Sequence, residues 1–517
     1  MANICVFCDG TWQTDEDEEN GVLTVSNVAK MRNTLALGDA GGEAQKRYYH
    51  PGVGTGGGRL SRLIGGGFGV GLQDNVKSAY KWLSVTYEPG DRIHLFGFSR
   101  GAYTVRSLGG MISACGLLDL RGMGDDDAGA WPRVDAVFES YRKRPVDAAI
   151  LADCRFHNCD ASRNPAKTTP IHFLGVWDTV GALGIPNHLG FLNLLDDPGS
   201  YAFHDTELSD IVRHARHAMA IDEERESFTP TLWTGHGPGT DIRQVWFAGA
   251  HGDTGGGYPL GESGLSDVAL LWMIEEAQAC GLSFNENKLR QIRADPLGPR
   301  HNPVTGVFKA MPTRPRSIPA VHDPQNRSRF HASVLERRNN TPISDQDYFH
   351  SYSLEQNDKR TVSIYAREPW NATGLHVRKG ERYRMSAIGE WIDGSIKCSA
   401  RGTDDGDFYA GEMAQMAASV LGWGEQLFKR FSGNRTADFW YTKRVETSPW
   451  FALMGAIANG RGADSDGNPS PHQMFEIGDS RTIEPDADGY LYCFANDAWL
   501  TYGNNKGSVV LTIERVI

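Results

Sequence analysis

The chain has 517 residues, with Lys+Arg 52 against Asp+Glu 64 and a net charge of −12 at pH 7. A field of that sign repels phosphate backbones and anionic headgroups, which sets nucleic-acid binding at a disadvantage. With 40% hydrophobic and 22% charged residues the chain buries a sizeable core, so the disordered class is excluded; at about 150 residues per domain the length fits two to four domains, or one large catalytic domain with an appendage.

The chain opens on MANICVFCDGTW, which turns polar before a signal-peptide core can form. A run of about eighteen apolar residues, the length of a transmembrane segment, is not found anywhere. Synthesis in the cytoplasm without a signal peptide and without a transmembrane segment is therefore expected. Strand-like runs follow at Asn3 to Cys8, Lys46 to His50, Arg92 to Phe98, Ile171 to Trp177 and Arg243 to Gly249. Helical spacing falls between and after them, at Asn75 to Tyr87, Ala102 to Ala114, Thr206 to Ala220 and Leu265 to Ala279. Alternation of this kind predicts an α/β fold with a mostly parallel sheet and helices on both faces, whose chemistry sits at the carboxyl ends of the strands. From about Pro296 to Gln356 closely spaced prolines mark an irregular arm, and beyond Lys359 short alternating strands predict a separate all-β sandwich. The boundary is placed between 356 and 357, giving a catalytic domain at 1–356 and a β-sandwich domain at 357–517. Within the latter, Met413, Met416, Val420, Leu421, Leu427, Phe428 and Phe431 follow helical spacing, as a packed helix or a lipid-facing surface. The Cys5-x-x-Cys8 pair lies in an apolar strand-like run with no second pair at zinc spacing, and the eight cysteines read as buried free thiols.

The motif with the clearest chemistry is Gly97-Phe-Ser99-Arg100-Gly101, a G-x-S-x-G between an apolar strand and a helix. A serine on so sharp a turn needs glycine on both flanks, because strand and helix approach each other closely there. The helix start places the amide of Arg100 beside the hydroxyl, where it can bind an oxyanion. Serine needs a base, and the order for this elbow is Ser, then Asp or Glu, then His. Asp178 in GVWDTVG and His251 in FAGAHGDTGGGY supply that order, each just after a strand. Ser99 would attack, His251 would serve as base and then acid, and Asp178 would orient the imidazole. Asp253 competes for the acid role, but from two residues away it more easily caps its own turn. Gly10 and Thr11, after the first strand, are candidates for the second oxyanion donor, with Asp9 fixing their loop. Gly52-Val-Gly54-Thr-Gly56-Gly57-Gly58 lacks the strand–turn–helix context of a dinucleotide site, and that reading is rejected. The segment Gly184 to Tyr201 fits either a lid over an acyl pocket or an ordinary helix.

These motifs, FCDGTW, GVGTGGG, LFGFSRGAY, GVWDTVG, FAGAHGDTGGGY and the later HASVLER at His331 to Arg337, resemble the type VI secretion lipase effectors, relatives of the α/β-hydrolases, over about residues 1–350. The resemblance implies a Ser99–Asp178–His251 triad, hydrolysis of phospholipid acyl esters, secretion-apparatus and immunity partners, and delivery into a target cell's periplasm. The end of the chain, YCFANDAWLTYGNNKGS from Tyr492 to Ser508, is similar to the calcium-dependent PA-I galactophilic lectin family. One carboxylate and two amide oxygens within nine residues make a plausible hard-oxygen cage. The resemblance implies calcium held by side chains of Asp497, Asn504 and Asn505, the carbonyl of Thr501, and a carbonyl from the loop after Trp391. That family reads galactose partly through a His and Gln pair; here only His376 and His472 occur, elsewhere, and an insertion from about Ala400 to Trp450 replaces the loop. A carbohydrate ligand therefore stays open, as do an esterase for acylated glycans and a glycan-binding protein on an inactive hydrolase scaffold.

Overall fold

The computed structural model describes residues 1–10, 18–19, 22–52, 70–123, 127–143, 154–157, 169–180, 207–345, 347–403, 443–462, 469–499 and 501–517. Six strands form the first sheet: β1 (Asn3–Cys8), β2 (Gln45–His50), β3 (Arg92–Phe98), β4 (Ile171–Trp177), β5 (Val212–Ala220) and β6 (Asp241–Phe247). Their spatial order is β6-β5-β4-β3-β1-β2, and every pairing is parallel. A parallel sheet needs cover on both faces, so its strands read as nearly continuous apolar runs. One face packs Ile4, Val6, Ile93, Leu95, Leu174 and Val176 against α2 (Val70–Thr86), α3 (Arg100–Cys115) and α4 (Asp127–Arg142). The opposite face packs Cys5, Phe7, Phe96, Phe98, Phe173 and Trp177 against α1 (Asn27–Thr34) and α6 (Gly264–Ala279). The short α5 (His251–Gly255) precedes α6.

The chain leaves β1 for β2 on one side and then returns to β3 on the other, so the order reverses beside β1. Ligands of open α/β sheets bind at that reversal, past the carboxyl ends of the strands. Asp9, Ser99 and Asp178 directly follow β1, β3 and β4, and His251 follows β6 by four residues.

The helix expected over Thr206 to Ala220 is instead a strand. Val212–Ala220 lies between β4 and β6, pairing in parallel with both. The spacing of Val212, Ala215 and Met219 imitates a helical stripe, yet from Ala215 onward every residue of the strand is buried. Alanine is at home in either element, and burial on both faces removes the alternation that marks a strand.

Beyond the arm, the β-region is antiparallel. One sheet runs β11 (Ile396–Ser399), β10 (Glu390–Asp393), β16 (Lys506–Arg515), β9 (Tyr383–Ile388) and β14 (Ser480–Ile483), with β7 (Lys359–Tyr365) also on β16. The other runs β8 (Asn371–Val377), β15 (Gly489–Ala495), β12 (Leu453–Ala458) and β13 (Gln473–Glu476). Inward residues of both sheets, among them Ile364, Met385 and Leu511 from one and Leu375, Leu453 and Leu491 from the other, share one core. This is the sandwich the alternation predicts. The helix expected around Met413 to Phe431, the Gly184 to Tyr201 segment and residues 53–58 lie outside the described residues. Among the described residues no helix is long and apolar enough to cross a membrane. Cys5, Cys8, Cys115, Cys280, Cys398 and Cys493 are buried free thiols, and Cys154 is partly exposed.

At Gly101, where α3 crosses the end of β1, a Cβ would collide with the Cys8 carbonyl. Gly101→Ala is expected to destabilise the chain by about 1–3 kcal/mol, measured as a lowered urea midpoint at unchanged m-value.

Candidate active site

Ser99 sits between β3 and α3 with φ 56° and ψ −122°, a conformation an L-residue adopts only under strain. Its own amide donates to the Trp177 carbonyl at 3.1 Å, which ties the elbow to the neighbouring strand. A Cβ at Gly97 would run into the Gly101 carbonyl, and one at Gly101 into β1. The two flanking glycines are thus explained by backbone contact rather than by flexibility. Arg100 opens α3, which places its amide in the first turn of the helix, beside the elbow.

Asp178 directly follows β4 with φ 36° and is fully buried. Its Oδ2 meets His251 Nδ1 at 2.6 Å, and its Oδ1 accepts from the Ala220 amide at 3.0 Å. The same carboxylate is gripped by both ends of the Arg316 guanidinium, Nη1 to Oδ1 at 2.6 Å and Nη2 to Oδ2 at 2.9 Å. Arg316 also donates to the carbonyls of Ala220 (2.6 Å) and Phe228 (2.7 Å). Burial pushes the Asp178 carboxyl up, but the adjacent Arg316 charge and the hydrogen bonds from His251 and Arg316 overcome it and hold the group well below the usual carboxylate range.

His251 begins α5 and is buried between two aromatic rings, Phe98 at 4.6 Å and Phe228 at 4.9 Å between centroids. Burial lowers its pKa, and the bond and charge of Asp178 only partly restore it. Its amide donates to Glu223 Oε2 at 3.3 Å. Glu223 in turn holds Arg225 by two contacts, 2.8 and 2.7 Å, and Arg225 lies 3.6 Å over the Phe228 ring. Among the described residues no hydrogen bond joins Ser99 Oγ to His251 Nε2. The two residues adjoin through Phe98, the residue just before the serine, and such bonds often tighten only when substrate binds.

Asp253 does not face the imidazole of His251. Its Oδ2 accepts from the Ala250 amide at 2.9 Å, capping α5, and its Oδ1 meets His301 Nδ1 at 2.6 Å. Gly10 lies against Ser99, with an added Cβ 3.4 Å from the serine Cβ, yet its amide already donates to Asp9 Oδ1 at 2.7 Å. In this structure the Gly10 amide is thus engaged within its own loop, and donation to an oxyanion would require it to leave Asp9 Oδ1. Thr11 lies outside the described residues. Asp9 does fix its loop, also accepting from Ser26 Oγ (2.6 Å) and Tyr49 OH (2.9 Å). His331, in the late motif, is structural. It caps α7 (Ala332–Asn339) and stacks 4.8 Å from Phe247.

Sequence reasoning missed Glu223, Arg225, Phe228 and Arg316. The acidic run Asp222-Glu223-Glu224 follows β5 after one residue, Ile221, and reading Val212–Ala220 as a strand would have placed it at the site. Arg316 stands between prolines in the irregular arm, with no signal of its own.

In the β-region, Asp497 Oδ1 accepts from the Thr501 hydroxyl at 2.5 Å and the Ala498 amide at 2.7 Å, and its Oδ2 accepts from Asn505 Nδ2 at 2.8 Å. Asn504 Nδ2 donates to Asp393 Oδ1 at 3.2 Å, and Asp393 lies two residues past Trp391. The Thr501 carbonyl accepts the Asn504 amide at 3.1 Å. The Oδ1 atoms of Asn504 and Asn505 are both buried without a hydrogen-bond partner. Orphaned acceptors beside a buried carboxylate are the donor chemistry a hard cation takes.

The chain matches the family described as "T6SS, Phospholipase effector Tle1-like, catalytic domain" over residues 2–276. It is 33% identical over 250 residues to an uncharacterized protein of Saccharomyces cerevisiae, an alignment covering 45% of this chain and 33% of that protein. The structure of the Tle1 effector bound to the VgrG spike from the Type 6 secretion system is 18% identical, with 51% of this chain and 52% of that one covered and a TM-score of 0.29. The EclA N-terminal domain, a PllA-like lectin, is 14% identical, covers 30% of this chain and 94% of that one, and has a TM-score of 0.18. The chain thus spans about a third of the yeast protein and about half of the Tle1 chain.

Because burial lowers the His251 pKa while Asp178 raises it, His251 is expected to titrate below the free imidazole range. Asp178→Asn is expected to move it lower still, because the replacement removes the charge hydrogen-bonded to the imidazole itself, the largest of those that favour the imidazolium. A histidine NMR titration of both proteins checks the direction.

Proposed function

The chain belongs to the Tle1-like phospholipase effector family of the type VI secretion system, and from that membership we propose that it is a serine esterase that hydrolyses phospholipid acyl esters. The observation that carries the reading is the 2.6 Å bond between Asp178 and His251 beside a strained serine elbow. Ser99 Oγ attacks the acyl carbonyl as His251 Nε2 takes its proton, while Asp178 keeps Nδ1 protonated and supports the imidazolium. The oxyanion of the tetrahedral intermediate accepts a hydrogen bond from the Arg100 amide, a donor of the kind whose loss costs about 3–4 kcal/mol in the transition state. His251 then returns the proton to the leaving alcohol. Water, activated by the same imidazole, releases the fatty acid from Ser99 and regenerates the hydroxyl. Phe98 and Phe228 flank the imidazole and keep the proton path dry.

The reading extends to a toxin carried by the secretion apparatus into a rival cell's periplasm and held in check by an immunity protein. In the β-region, Asp497, Asn504, Asn505 and the Thr501 carbonyl suit a calcium ion, which would neutralise Asp497 and satisfy the two orphaned amide oxygens. Burial already pushes the Asp497 carboxyl up, so a cation there would favour its ionised form.

Ser99→Ala is expected to cut fatty-acid release from mixed phospholipid vesicles by about a million-fold if the triad acts as a unit, with the circular dichroism spectrum unchanged. Mass spectrometry of the products reads this, and retained release in that variant would refute the esterase. For the metal, calcium at about 100 times its dissociation constant is expected to add about 2.7 kcal/mol of stability. The gain is read as a higher unfolding temperature that Asp497→Asn abolishes; an unchanged temperature with calcium would refute the site.

A further inference from the structure

The arm that carries Arg316 is held from two sides. Toward the hydrolase sheet, the Arg314 amide donates to the Glu224 carbonyl at 2.6 Å, and the Glu226 amide to the Pro312 carbonyl at 3.3 Å. Toward the β-region, Trp370 Nε1 donates to the Thr313 carbonyl at 3.2 Å, and the Val321 amide donates to Tyr490 OH at 2.8 Å. Between these anchors sits His472. Its Nδ1 accepts from the Gly460 amide at 3.0 Å and from Arg314 Nη2 at 3.1 Å, so its proton is on Nε2, which donates to the Pro315 carbonyl at 2.8 Å. Burial and the Arg314 charge push the His472 pKa down to about 3, which keeps this tautomer neutral across the working pH range. The next residue after Pro315 is Arg316, whose guanidinium fork is the partner of Asp178.

A guanidinium fork fixes a carboxylate in plane and in distance, which a single hydrogen bond does not. We propose that Arg316 is a positioning residue for the hydrolysis, and that the β-region sets it through Trp370, His472 and Tyr490, so that the active site is complete only when that region is docked on the arm. The proposal rests on the esterase reading above. Arg316 touches no reacting atom; it acts through Asp178, holding the carboxylate where His251 Nδ1 meets it.

The test uses the full chain and a soluble p-nitrophenyl ester, with kcat, KM and the pH profile of kcat/KM measured for Arg316→Met, Arg316→Lys and His472→Ala, and Ser99→Ala as reference. Arg316→Met is expected to lower kcat by about 10- to 100-fold, the range for a displaced catalytic group, with KM within about three-fold. It is also expected to move the acid limb upward. The positive charge beside Asp178 disfavours the imidazolium, so without it His251 holds its proton to higher pH and the base form appears later. The other charged or titratable groups facing the pair, Arg225 and Glu223 toward His251 and His217 and Arg106 on the Asp178 side, are unchanged in this variant. Arg316→Lys restores part of kcat and returns the acid limb, since it keeps the charge without the fork. His472→Ala, with Arg316 intact, lowers kcat with KM and the acid limb unmoved. A folded Arg316→Met with wild-type kcat and acid limb overturns the positioning role, and a folded His472→Ala with wild-type kcat overturns the role of the β-region. If Arg316→Met fails to fold, Arg316→Lys decides the first point, wild-type kcat again overturning it. Wild-type turnover in Ser99→Ala would instead sink the esterase reading and this inference with it.

Discussion

A fully buried carboxylate, Asp178, is the constraint around which the rest of the site is arranged. Taken from water without partners, such a charge would not stay ionised. It stays ionised because four donors converge on two oxygens: the Ala220 amide, His251 Nδ1 and both ends of the Arg316 fork. The donors come from three separate parts of the chain, so the end of β4 must meet β5, the start of α5 and the proline-rich arm at one point. Removing one partner of a buried pair of this kind typically destabilises by about 3–5 kcal/mol, because the remaining charge is left uncompensated. The same arrangement holds a tension. A cation so near the carboxylate weakens its support for an imidazolium, while burial between Phe98 and Phe228 already disfavours the charged ring. Both effects keep His251 neutral, the form able to accept a proton.

Much of this was legible in the sequence wherever backbone geometry forces a residue type. Gly97 and Gly101 stand where any Cβ would strike the neighbouring chain, so the elbow announced itself. Strands β1, β3 and β4 were legible to the residue, because apolar runs ending in Cys-Asp-Gly, Gly-Phe-Ser and Trp-Asp-Thr have hard stops. The strand Val212–Ala220 was not, because alanine-rich burial on both faces erases the period that separates strand from helix. Gly10 was in the right place for an oxyanion donor, and only the folded loop reveals that its amide meets the adjacent Asp9 carboxylate. Arg316 was illegible for a deeper reason. Its partner lies 138 positions earlier in the chain, and no local pattern encodes so distant an ion pair.

The proline-rich arm, irregular by composition, turns out to be a seam. Ile318, Val321 and Phe330 from the arm share a core with Trp246 and Leu265 of the hydrolase side and Tyr490 of the β-region. An aromatic residue buried in this way contributes apolar area to both sides at once, and its hydroxyl is satisfied by the Val321 amide and Ser351. The β-region is therefore packed onto the arm through a shared core.

Two of the candidate catalytic residues, Ser99 and Asp178, share a backbone trait with few others among the described residues: a left-handed φ without being glycine. Conformations of that kind cost about 1–3 kcal/mol each, so the native state is less stable than the same fold with relaxed turns would be. A mutational search for hardiness alone would drift toward glycine at 99 and reward it, selecting a sturdier and inert protein. Survival of serine at that position would then be a signature of selection on chemistry, visible as a gap between the fittest sequence for folding and the fittest for catalysis.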